Sequence, residues 1–126
     1  MNIHDLTKKW ETIRKTYTPM KNDKNNPTKY LFLITSLKQL TNLLEQSIEP
    51  QFTFKCLNYC GDLARYIHSS NPTLNNSKLA IKYYHDAIML DPSIGLPFNA
   101  LALIYISIDL LVPAFEASAL WYSCLI

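Results

Sequence analysis

Three histidines and three cysteines are the side chains on which metal or nucleophilic chemistry would have to rest, and their spacing supports neither. His4, His68 and His85 have no partner at an i,i+4 spacing and no adjoining carboxylate motif, so they read as surface or helix-end histidines. Cys56, Cys60 and Cys124 are an odd set without a paired CxxC, and none lies in the sequence signature of a nucleophile. Cys60 beside Gly61 reads as a small core filler. Asp62 and Arg65 are adjacent at a three-residue spacing on one helix, and the plain alternative for Arg65 is to pair with Asp62 or a neighbouring acid as a solvated residue, the commonest fate of an arginine. The expectation is a protein that catalyses nothing and holds no metal or cofactor.

With 126 residues the chain has room for one domain and a modest core. Its 48% hydrophobic and 17% charged residues belong to a folded globular chain. Only 2 glycines disfavour a many-turned β sandwich or a glycine-cradled nucleotide fold, and helix is the expectation. A net charge of +2 is too small to imply nucleic-acid binding, so a nucleic-acid partner is left open without being indicated. No charged-then-apolar leader opens at Met1, and the apolar run at 96–112 is interrupted by Asn99, Ser107 and Asp109, which reads as a buried helix and not a membrane span. The plain reading is a reduced, intracellular protein.

Hydrophobic periodicity divides the chain into six helices. Leu6, Trp10, Ile13 and Tyr17 trace one face of a first helix over 4–17, and the polar stretch 18–28 with Pro19 and Pro27 is a loop. A second helix runs over 29–47 on Leu33, Leu37, Leu40 and Leu44, and Pro50 blocks its continuation. A third, over 50–68, puts Phe54, Leu57, Gly61, Ala64 and Ile67 on one face. The segment 69–76 reads as a loop longer than a tight repeat turn, with Ser77 capping a fourth helix over 78–90 that Asp91-Pro92 ends. A fifth covers 97–108, and a sixth begins after Pro113. That last helix is still running at Ile126 with Trp121, Leu125 and Ile126 uncovered, so the expectation is a partial domain over 1–126.

Ala80-x3-Tyr84-x2-Ala87-x4-Pro92 matches the second half of a tetratricopeptide repeat, and Ala117-x3-Trp121-x2-Cys124 repeats the small, aromatic, small spacing. The physics is that Ala80 and Ala87 let antiparallel helices approach, Tyr84 fills the groove, and Pro92 forces the next turn. Gly61 and Ala102 supply small residues on the preceding helices. Helices three and four, then five and six, form two pairs in an all-α, tetratricopeptide-like fold; an ordinary helical bundle is the competing architecture.

The run Tyr59-Cys-Gly-Asp-Leu-Ala-Arg-Tyr66, then Lys82-Tyr-Tyr-His-Asp-Ala87 and Leu90-Asp-Pro-Ser-Ile-Gly-Leu-Pro-Phe-Asn-Ala-Leu-Ala102, resembles the 14-3-3-like domain of the Smg/Est family, which comprises nonsense-mediated decay adaptors and telomerase-associated proteins. Two departures are Ala100 in place of the family's usual Gln and the extended loop before Lys78. The resemblance implies an adaptor that binds a phosphorylated RNA helicase in nonsense-mediated mRNA decay, with a telomerase-associated paralogue or a plain tetratricopeptide scaffold as alternatives. It leaves room for a heterodimer with a family paralogue, and for a cytoplasmic protein that shuttles to the nucleus. The same residues resemble true 14-3-3 proteins. Carried over one at a time, that likeness assigns phosphate binding to Arg65 and Tyr66 and the bound peptide's backbone to Asn99. Aligning on Trp10 gives a second phosphate ligand at Lys15, with Arg14 nearly as good. The chemistry suits those assignments, because a guanidinium fork donates two charge-assisted hydrogen bonds to phosphate and a tyrosine hydroxyl adds a third.

Overall fold

A computed structural model describes residues 1–23, 26–71 and 73–107. Among them the chain is all helix, with no strand: α1 (Ile3–Tyr17), a 3-10 turn (Thr18–Met20), α2 (Pro27–Gln46), α3 (Pro50–Ser70), α4 (Leu74–Leu90) and α5 (Leu96–Ser107). The expected sixth helix, its repeat match at Ala117, Trp121 and Cys124, and its pairing with α5 lie outside the described residues.

Each helix starts where the sequence supplies an acceptor or a proline. Asn2 Oδ1 accepts from Asp5 N at 2.9 Å to open α1, and Asn26 Oδ1 accepts from Thr28 N at 3.0 Å to open α2, with Pro27 in the first turn. The α2 helix thus begins inside the stretch expected to be loop. Pro50 opens α3, and the preceding turn is tied by Ser47 Oγ and Thr53 Oγ1, 2.8 Å apart.

The connection from α3 to α4 corrects the sequence reading. Thr73 Oγ1 accepts from Asn76 N at 3.1 Å and is the cap, so α4 starts at Leu74 and only residues 71–73 link the two helices. Ser77, expected to cap, is fully buried one turn inside the helix. The departure from regular repeat spacing disappears with it: the turn is short, as a tetratricopeptide hairpin requires.

The middle helix, α3, is buried on two sides. Phe52, Cys56, Cys60, Leu63 and Ile67 join Leu6, Trp10, Ile13 and Tyr17 of α1 and Leu33, Leu37 and Leu40 of α2 in the main core. Phe54, Leu57 and Ala64 face α4 at Ala80, Tyr84 and Ala87. Among the described residues the α3–α4 contact is the most extensive, and α5 packs mainly on α4. Gly61 makes the close approach: a Cβ there would stand 2.6 Å from Tyr84 Cε1 and 2.8 Å from Cδ1. Tyr84 fills the interhelical groove as the repeat pattern predicts, and it is 1% exposed.

Candidate functional site

Asn58, Asp62 and Arg65 follow one another along α3 at spacings of four and three, which places them on one stripe. Arg65 Nη2 donates to Asp62 Oδ1 at 3.3 Å, so of the acids open to it Arg65 takes Asp62. Tyr84 joins it from α4. Its hydroxyl donates to Asp62 Oδ1 at 2.5 Å and accepts from Arg65 Nε at 3.3 Å. A buried tyrosine hydroxyl needs a partner, and the Asp62–Arg65 pair provides one on each side.

Burial pushes the Tyr84 hydroxyl far above its ordinary range, and the Asp62 carboxylate reinforces it. Burial pulls the Arg65 guanidinium down, but the charge and hydrogen bond of Tyr84 and the charge of Asp62 more than offset this, so it is held above its usual value. Arg65 carries five N–H donors, of which Asp62 and Tyr84 take two, and its side chain keeps 31% exposure. The remaining donors can meet an anion from solvent.

Tyr66 is a packing residue and a neighbour of the guanidinium at once. Its ring lies 4.6 Å from Tyr17 and 6.3 Å from Trp10, both stacked, and Trp10 in turn stacks on Tyr59 at 4.8 Å. The Arg65 guanidinium sits 5.2 Å from the Tyr66 ring centroid. The hydroxyl of Tyr66 is pushed up by burial and by Asp62, against the opposing fields of Arg65 and Arg14.

The α1 basic residue whose field is felt at the Tyr66 hydroxyl is Arg14. Lys15 is exposed and, at about 100° per residue, lies roughly half a turn away from the buried stripe of Ile13 and Tyr17. Asn99 is exposed on α5, while Phe98, Leu101 and Ile104 are buried. Its backbone N–H donates to Gly95 O at 3.1 Å at the helix start, and no hydrogen bond joins its side chain to Arg65 or Tyr66. The structure thus brings together Arg65, Tyr66, Asp62 and Tyr84, and no hydrogen bond or ion pair ties Lys15 or Asn99 to them.

Sequence reasoning placed Tyr84 in the packing and missed its hydroxyl. The signal was present in the Gly61–Tyr84 pairing, since a tyrosine packed on a glycine one turn from Arg65 must bring its polar end to that stripe. His4 and His85 are exposed as expected, whereas His68, at the end of α3, is buried with Nδ1 unpartnered. Cys56 and Cys60 are buried and free; Cys56 Sγ donates to Leu40 O at 3.3 Å, and the hydrogen bond to Cys56 together with burial pushes the Cys60 thiol up. Among the described residues no cluster of His, Cys, Asp or Glu could hold a metal ion, and no helix is long and apolar enough to cross a membrane.

The family model for the Est1 DNA/RNA binding domain matches residues 80–115, which include Tyr83, Tyr84 and the run from Leu90 to Ala102. The zebrafish (Danio rerio) nonsense-mediated mRNA decay factor SMG5 is 43% identical over 47 residues, which are 37% of this chain and 4% of that protein. The matched stretch is thus a small part of that relative's length. No solved structure matches the chain. Over these stretches the chain is similar to the Est1 DNA/RNA binding domain and to a nonsense-mediated decay factor of the Smg/Est family, and its all-helical fold agrees with that likeness.

Proposed function

We propose that this domain is a phosphoprotein-binding adaptor of nonsense-mediated mRNA decay, docking a phosphorylated RNA helicase and catalysing nothing itself. The observation that carries the reading is the Arg65 guanidinium, fixed by Tyr84 and Asp62 on one edge, laid against the Tyr66 ring, and open to solvent on the other. A fork held in place loses little side-chain entropy on binding phosphate, which suits a recognition site. Arg14 supplies the second positive charge in place of Lys15, the Tyr66 hydroxyl adds a donor, and Asn99 holds the peptide backbone. The adaptor works in the cytoplasm and shuttles to the nucleus.

Titration of the ¹⁵N-labelled chain with a phosphoserine peptide tests this. The Arg65 Nε–H resonance and the Tyr66 ring should shift, with no response to the unphosphorylated peptide; shifts that are the same for both peptides refute phosphate recognition. The second reading is a phosphate-independent scaffold, favoured by the engagement of Arg65 with Asp62. Nucleic-acid binding by the family-matched segment has weak electrostatic support: residues 80–115 carry one lysine, Lys82, against Asp86, Asp91 and Asp109.

A further inference from the structure

At the N-terminal end of α3 lies an open groove of about 590 Å³, walled by Phe54 and Tyr59 of α3, Leu90 of α4, Ile94 in the turn and Leu96 of α5. Leu90, Ile94 and Leu96 are exposed there, 41%, 40% and 65%, an apolar surface left in water. Asn58 lines the same groove. It is 6% exposed; its Nδ2 donates to Phe54 O at 3.1 Å, and its Oδ1 has no partner. A buried amide oxygen without a donor is costly, and a turn of the Asn58 side chain at the groove wall would let it receive a ligand N–H.

Asn58 stands on the α3 stripe that carries Asp62 and Arg65. Seven residues of helix separate Asn58 from Arg65, about 10 Å, which an extended peptide covers in about three residues. The stacked rings of Tyr59, Trp10 and Tyr66 run along the same side of α3.

We infer that this groove receives an apolar side chain about three residues from the phosphorylated residue of the same peptide, with Asn58 Oδ1 accepting that peptide's backbone N–H. The inference rests on the phosphopeptide reading above and gives it a sequence requirement: phosphate at one end of the stripe, a leucine-like residue at the other. Phe54, Tyr59, Leu90, Ile94 and Leu96 favour an apolar side chain, Lys55 and Asp91 also line the groove, and the orphan acceptor asks for a donor.

The test uses the full chain and four fluorescein-labelled nonapeptides built on an alanine–serine host. They pair phosphoserine or serine at the centre with leucine or alanine at both third positions, so chain direction does not matter. Leucine should tighten phosphopeptide binding about tenfold over alanine, the worth of burying one such side chain. Asn58→Leu should leave the fold and thermal unfolding intact, because it removes an unpartnered buried polar atom, while reducing the leucine preference; Ile94→Asp, on the exposed rim, should reduce it without touching the core. Phosphate-dependent binding indifferent to leucine removes the groove and leaves the proposed function. Leucine-dependent binding indifferent to phosphate, with a shift of the Asn58 side-chain amide, leaves the groove, removes the proposed function and overturns the shared-peptide register. Indifference to both overturns the whole inference.

Discussion

Gly61→Ala separates the packing account from simple helix propensity, because the two give opposite signs. Alanine in a helix interior is favoured over glycine by about 1 kcal/mol, so a loosely packed site would become more stable. Here the added Cβ would lie 2.6, 2.8 and 2.9 Å from three ring atoms of Tyr84. The ring is fully buried and its hydroxyl is held by Asp62 and Arg65, so it cannot swing aside without breaking that network. Overpacking of this kind costs about 1–3 kcal/mol, and weakening the Tyr84–Asp62 hydrogen bond adds roughly 1 kcal/mol, for a net loss of about 1–3 kcal/mol after the propensity gain. Urea unfolding followed by circular dichroism at 222 nm reads the difference. Tyr84→Leu should relieve the clash, so that the Gly61→Ala effect is smaller in its background than in the native chain. A stabilised Gly61→Ala variant would refute the close approach of α3 and α4 as the organising contact of the fold.

Three further outcomes follow from the same contacts. Thr73→Ala should cost about 1 kcal/mol through loss of the α4 cap, read by thermal unfolding, because Thr73 and not Ser77 accepts from the first-turn amides. Tyr84→Phe should destabilise by about 1–2 kcal/mol at neutral pH by leaving the half-buried Asp62 short of a donor. The folded-state pKa of Tyr84 is raised above the ordinary 10.0, so its contribution is fully present below pH 10 and is lost as pH rises from there toward the folded value. Native stability should therefore fall more steeply above pH 10 than that of Tyr84→Phe, a contrast measurable as urea midpoints across pH 8–11.

The first helix was legible because Leu6, Trp10, Ile13 and Tyr17 form a single stripe, and a helix packed on one side writes its period plainly. The third was legible in existence and incomplete in burial: a helix sandwiched between two layers carries a second stripe through Phe52, Cys56, Cys60 and Leu63 that a one-face reading passes over. The start of α4 was misplaced because Leu74-Asn75-Asn76 has loop composition, while Thr73 supplies the cap that makes a helix of it. For the site, the Asp62–Arg65 spacing allows their bond without singling it out from pairing with a neighbouring acid. Between Lys15 and the nearly equal Arg14 the sequence offers one tryptophan as a guide, and a shift of one residue turns a helical side chain by about 100°. Arg65 also does more than a free ligand would, since it satisfies the Tyr84 hydroxyl. Arg65→Glu would therefore set a second carboxylate beside Asp62 and disturb the fold as well as binding, which makes Arg65→Lys the cleaner variant.

The central claim is that Arg65 reads a phosphate. The most direct measurement is the ratio of affinities for a serine-phosphorylated and an unphosphorylated peptide of identical sequence, by fluorescence anisotropy, in the native chain and in Arg65→Lys, with circular dichroism confirming that both are equally helical. Loss of a bidentate charge-assisted contact is worth about 1.5–3 kcal/mol, so the native chain should favour the phosphopeptide at least tenfold and Arg65→Lys should lose most of that preference. A ratio near one in the native chain, or an undiminished ratio in Arg65→Lys, would contradict it.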